Sequence, residues 1–194
     1  MFYDTISFMK NLLKIVKDNK PSLRQKCKEV TEIDDKVISL VNSMHDYLVA
    51  SQDEEVQKRY GIREGVGLAA PQIGENIRAL VVYFVDVDEN GKEVTVDHRL
   101  INPKIILESV KEAYLSGGEG CLSVDKAHEG YVYRKYKIQV KAFNALTMKE
   151  EIITARGYEA VVLQHEIDHL DGILYYDRIN KNDPFFKKID AIEL

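Results

Sequence analysis

Between Asp34 and Lys58, apolar residues recur at helical spacing: Val37, Leu40, Val41, Met44, Tyr47 and Leu48 share one face of a 3.6-residue period. Asp34 or Asp35 can cap the start of this N-terminal helix, and Gly61 can end it. The pattern thins over 51–55, which predicts one helix plus an extra polar turn. After Gly74 the texture changes. β-Branched and apolar runs predict strands over 77–85, 100–107, 113–115 and 132–143, with Asn90-Gly91 as a tight turn. In the last run Tyr136, Ile138, Val140 and Ala142 alternate with Lys135, Lys137, Gln139 and Lys141, the pattern of a half-buried antiparallel strand. Residues 144–147 can turn it into a further strand over 151–155. Helical spacing returns over 158–171 and closes at Gly172. Its apolar residues cover most of the circumference, so this helix is expected to be buried and central. The sum is an α+β fold: antiparallel sheets packed around a central buried helix, with an N-terminal helix. A chain of 194 residues suits one catalytic domain over 1–194.

Composition narrows the function classes. The net charge of −5 supplies no basic surplus to neutralise phosphates, so no stable nucleic-acid complex is expected. No apolar run reaches membrane-spanning length, so no membrane is expected as a partner. Residues 1–18 carry lysines on an amphipathic pattern but have no continuous apolar core and no small-residue cleavage site; they read as mature protein, with a weak transit-peptide alternative. Two cysteines, Cys27 and Cys121, make no disulfide framework, and the default compartment is a reducing cytoplasm.

The strongest chemical signal is His165-Glu166-Ile167-Asp168-His169 on the second helix. Histidines at i and i+4 lie one above the other, so both imidazoles can reach one ion while the glutamate stands beside it. The buried helix is thereby predicted to be a metal-binding helix. A hydrolytic site takes three protein ligands and keeps one position for water. The position where one familiar pattern has a third histidine holds Tyr175, and Asp190 lies almost at the chain's end. Upstream, Cys121 sits in Gly117-Gly118-Glu119-Gly120-Cys121-Leu122-Ser123. A thiolate is a strong ligand, although a lone cysteine also reads as a small buried apolar residue. A third segment, residues 65–74, is rich in small residues and suits a backbone laid against a ligand, with Gln72 offering an amide N–H to developing negative charge.

These three segments, in this order, resemble the peptide deformylase family: 65–74 is similar to its GxGLAAPQ motif, 119–123 to EGCLS, and 164–172 to its extended HEIDHL helix. The polar stretch 51–64 and the run 175–179 resemble the subgroup of Gram-positive-type bacteria, in which the C-terminus adds a strand rather than a long helix. The resemblance implies removal of the formyl group from the N-terminal methionine of new bacterial proteins. It implies Cys121, His165 and His169 as ligands of one divalent metal, with Fe2+ in the cell and Zn2+, Ni2+ or Co2+ tolerated. Glu166 is implied as general base, and Gln72 with the Leu122 backbone N–H as oxyanion donors. Val66, Gly67 and Gly120 are implied to pair with the peptide backbone, and Tyr158, Val161 and His165 to form the methionine pocket. A cytoplasmic monomer acting on N-formylmethionyl peptides and nascent chains at the ribosome follows from the same resemblance. Two rival readings differ in their ligands: a zinc endopeptidase using Asp190, or a closed structural zinc site using His128 or Asp168.

Overall fold

The computed structural model describes residues 13–87 and 90–194; the first twelve residues of the 1–18 segment lie outside them. Asp34 caps α1 (Asp35–Ser51) by accepting a hydrogen bond from the Val37 N–H. The extra polar turn expected after the thinning at 51–55 is a second short helix, because Asp53 caps a new start, accepting from Glu55 and Val56 N–H. This α2 (Glu54–Tyr60) ends at Gly61, whose φ of 63° is left-handed and suits the residue without a Cβ.

The strands follow as β1 (Gly67–Ala69), β2 (Ala79–Val87), β3 (Glu93–Glu108), β4 (Glu112–Tyr114), β5 (Arg134–Lys135), β6 (Lys137–Asn144) and β7 (Lys149–Arg156). After them come α3 (Gly157–Leu170) and a C-terminal β8 (Ile192–Glu193). A five-stranded antiparallel sheet runs β1-β2-β3-β6-β7, leaving β1 on one edge. A small second sheet runs β5-β4-β8, and its β4–β8 pairing is parallel, an exception to the all-antiparallel expectation. The strand expected over 100–107 begins earlier, since Glu93–Arg99, polar but for Val94 and Val96, pair with β2. The strand expected over 132–143 is two pieces in two sheets. Tyr136 divides them, its N–H turned to Lys111 O and its carbonyl to Gly157 N–H.

Alternation along β2 explains the layering. Leu80, Val82 and Phe84 face α3, where they meet Leu163, Ile167 and Leu170. Ala79 and Val81 face the other way and pack with Val41, Met44 and Leu48 of α1. The sheet is therefore covered on both faces. Every residue of α3 from Ala160 to Leu170 is buried, as its all-round apolar pattern predicts. Fully burying a Leu, Val or Ile side chain contributes about 1.5–3 kcal/mol, so this helix is among the most firmly seated elements. Gly172, φ 75°, then turns the chain where an added Cβ would lie 2.6 Å from Arg24 O. Among the described residues no helix is long and apolar enough to cross a membrane.

Candidate metal centre

One turn of α3 separates His165 and His169, whose ring centroids lie 5.0 Å apart. Cys121 comes from the loop after β4 and brings its Sγ to 3.3 Å from His169 Nε2. Ligand atoms of these three residues all lie within 4.8 Å of one another, the one such group of His, Cys, Asp or Glu among the described residues. A tetrahedral ion with metal–sulfur near 2.3 Å and metal–nitrogen near 2.0–2.1 Å sets its ligands about 3.3–3.6 Å apart. The Cys121–His169 separation meets that spacing, and a soft thiolate with two imidazoles suits a divalent transition metal. The residues nominated by the rival readings stand elsewhere. Asp168 is bound to Arg134 and Arg178, the His128 ring packs 4.2 Å from that of Tyr176, and Asp190 is exposed in the tail.

Behind the histidines lies a buried charge network. Glu119 Oε2 is 2.8 Å from His165 Nδ1, and Arg134 donates to both Glu119 oxygens at 2.8 Å and to Asp168. Burial alone would raise the Glu119 carboxyl, but bonds from Arg134 and His165 outweigh it and hold the group down at about 2. Burial would lower His165, but hydrogen bonds to Cys121 and Glu119 outweigh it and hold the ring well above the ordinary histidine range; an ion bound at Nε2 would replace the proton there while Glu119 keeps the Nδ1–H. Burial, reinforced by the neighbouring His165, pushes His169 well below the ordinary histidine range, which keeps it a neutral donor.

Glu166 is 4% exposed, and its Oε2 has no hydrogen-bond partner among the described residues. Burial pushes its carboxyl up to about 7. Its other oxygen explains a glycine: a Cβ at Gly67 would come within 2.3 Å of Glu166 Oε1. The edge strand β1 thus runs its bare backbone past the carboxylate. In the short 3-10 turn that follows, Gln72 is locked by its Oε1, which accepts from Ala69 N–H at 2.8 Å. Its Nε2 then points at Cys121 Sγ, 3.5 Å away, and at Ser123 Oγ, 3.3 Å away. The Leu122 N–H has no acceptor among the described residues.

In front of this cluster opens a cavity of about 410 Å³. Its lining includes Val66, Gly67, Gln72, Gly120, Cys121 and Leu122 together with Tyr158, Val161, His165 and Glu166. His169 sits behind, 1% exposed. The Tyr158 ring meets Phe84 edge-on at 5.1 Å. The Val66 carbonyl is tied back to β2 by the Tyr83 N–H at 2.9 Å. Arg63, Glu64 and Leu115 also line the cavity, and they join Glu119 and Arg134 of the network as site residues that the sequence pattern does not single out. An acid flanked by glycines was a signal for Glu119; nothing local distinguishes Arg134 from a surface cation. His45 lies apart from this site, 8% exposed, with Nε2 3.2 Å from Arg99.

Comparison with known proteins gives a consistent result. The family model described as polypeptide deformylase matches residues 12–185. A peptide deformylase of Staphylococcus epidermidis is 46% identical over 181 residues, covering 93% of this chain and 97% of the relative. One from Listeria monocytogenes is 44% identical over 180 residues, covering 91% and 94%. Among solved structures, the peptide deformylase from Ehrlichia chaffeensis matches with a TM-score of 0.71 at 32% identity, over 88% of this chain and 89% of that one. A probable peptide deformylase from Synechococcus phage S-SSM7 matches with a TM-score of 0.66 at 38% identity, over 86% and 99%.

Proposed function

The chain belongs to the polypeptide deformylase family, and on that premise we propose that Cys121, His165 and His169 hold its metal while Glu166 serves as its general base. The reaction is hydrolysis of the N-formyl group of nascent peptides to formate and a free amino terminus. The observation that carries the assignment is the convergence of one thiol and two imidazoles, within 4.8 Å of one another, beside a buried carboxylate with an unpartnered oxygen.

A divalent metal held there would act as a Lewis acid, polarising water and the formyl oxygen. Everything else is the work of the chain. Glu166 takes the proton of the attacking water at its free oxygen and returns one to the departing amine. Gln72 Nε2 and the Leu122 N–H donate to the formyl oxygen as it gains charge, each such donor being worth about 2.7–4 kcal/mol of barrier. The backbones of Val66, Gly67 and Gly120 pair with the peptide as an added strand on the β1 edge. Tyr158, Val161 and the His165 ring receive the methionine side chain. The ion in the cell is Fe2+, with Zn2+, Ni2+ or Co2+ able to replace it. Residues 1–194 act as a single catalytic domain, a monomer working in the bacterial cytoplasm on nascent chains at the ribosome.

Two measurements test these roles. Cys121→Ser is expected to lose both bound metal and formate release, whereas Glu166→Gln keeps its metal and loses about 10²–10⁴-fold in rate. A Cys121→Ser variant with full metal content would remove the thiolate from the ligand set. Anaerobically prepared ferrous enzyme is expected to outperform the zinc form on formyl-Met peptides; equal rates would argue against iron as the working ion.

A further inference from the structure

All four carbonyl oxygens of residues 121–124 are hydrogen-bonded, and Arg63 reaches three of them. Its Nη2 donates to Cys121 O at 3.0 Å and to Leu122 O, and its Nη1 donates to Val124 O at 3.1 Å. Cys121 O also accepts from the Val124 N–H at 3.2 Å, and the fourth carbonyl, Ser123 O, accepts from the Asp18 N–H at 2.9 Å. Lys17 Nζ adds a bond to Leu122 O at 3.2 Å and pairs with Asp125 at 2.6 Å. Arg63 belongs to the segment just before β1 and lines the edge of the cavity, with 49% of its side chain exposed.

The pairing of partners matters. A carbonyl and the N–H that follows it belong to one planar conjugated unit. Cys121 O, held by Arg63, is the far end of the peptide unit that carries the Leu122 N–H. Leu122 O, the atom Lys17 touches, belongs to the next unit, whose N–H is that of Ser123. A cation on Cys121 O draws electron density from the amide nitrogen and leaves its hydrogen more positive. Charge-assisted bonds of this kind are stronger than neutral ones, and each bond in a chain strengthens the next by about 10–30%. The guanidinium also ties the carbonyls of residues 121, 122 and 124 to one rigid group, which limits how far the Cys121–Leu122 peptide can turn and so the direction in which its N–H points. Solvent screens the rest of the charge, so the effect runs through the direct bond.

We infer that Arg63 is a positioning residue for deformylation, holding and polarising the Cys121–Leu122 peptide so that the Leu122 N–H is aimed and strengthened as a donor to the formyl oxygen. This rests on the proposed oxyanion role of that N–H. The test compares Arg63→Gln, Arg63→Lys and Lys17→Gln as zinc-loaded enzymes. It measures kcat and KM for formate release from formyl-Met-Ala, bound zinc, and the ¹H–¹⁵N resonance of the Leu122 amide. For Arg63→Gln, kcat should fall about tenfold, a fraction of the 10²–10³ lost with a whole oxyanion donor. KM should stay within twofold, zinc should be retained, and the Leu122 amide proton should move upfield. Lys17→Gln, which loosens the same loop through the neighbouring peptide unit, should leave kcat within twofold. Equal losses in Arg63→Gln and Lys17→Gln, or an unshifted Leu122 amide, would overturn the inference. If Arg63→Gln does not fold, Arg63→Lys decides on the same readouts, with a loss of about threefold expected and an unmoved amide counting against. A wild-type enzyme that released no formate would fail the functional reading instead, and the amide shift would still judge Arg63.

Discussion

Gly67 and Glu166 occupy one space: the carboxylate lies where a Cβ on residue 67 would be. Gly67→Ala is therefore expected to push Glu166 off its position, because a side chain end yields before the backbone of a paired strand. The expected result is a loss of about 10²-fold in formate release, with the thermal midpoint lowered by only a few degrees and metal content unchanged; steady-state kinetics and calorimetry on one sample check it. A variant with unaltered kcat would show that Glu166 tolerates displacement and is not the base. The proposed metal ligands and the proposed base are legible in the sequence itself, since histidine, cysteine and a glutamate between histidines are types whose spacing reports chemistry. Arg63, Arg134 and Asp168 are not. Arginine and aspartate read as surface until a fold buries them against each other, as it does for Arg134 with Glu119 and Asp168. No local pattern announces a partner that is distant along the chain.

The two helices that flank the sheet are legible as elements, because each carries a periodic apolar face wide enough to require cover. Where an element is short or defined by its neighbours, the sequence says less. β5 has two residues and exists through pairing with β4. The polar half of β3 is a strand because β2 lies beside it. At the packing of α1 on that sheet lies a pH-sensitive contact. His45 faces Asp46 on its own helix, Asp97 and Arg99 from β3, and the Tyr83 ring from β2. Burial lowers its pKa below 6.5, outweighing the pull of Asp97 and Asp46, and Arg99 works in the same direction as burial. The unfolded chain then binds a proton that the folded one refuses, so His45 costs the fold stability as pH falls from about 6.5 toward its folded pKa. Urea unfolding at pH 7 and pH 5.5 should show a smaller drop in midpoint for His45→Gln than for wild type. Parallel pH dependences would show that the fold does not lower the His45 pKa.

Across the whole molecule, the covered sheet serves as the frame on which three separate stretches of chain meet. β1 offers a free edge, the loop after β4 brings the thiol and a backbone donor, and α3 brings two imidazoles and a carboxylate. Charge, composition and secondary-structure pattern alone give an α+β domain; the His165–His169 motif adds a metal-assisted hydrolase, and the order and identity of the three segments point to the deformylase family. Sequence could not state how the segments are tied together, since those ties run through backbone carbonyls and buried ion pairs. The most direct test of deformylation is formate release by the metal-loaded wild-type protein from formyl-Met-Ala beside acetyl-Met-Ala. Rapid stoichiometric formate is expected from the formyl peptide, with no deacylation of the acetyl one. Absence of formate, or cleavage of both peptides at similar rates, would contradict it.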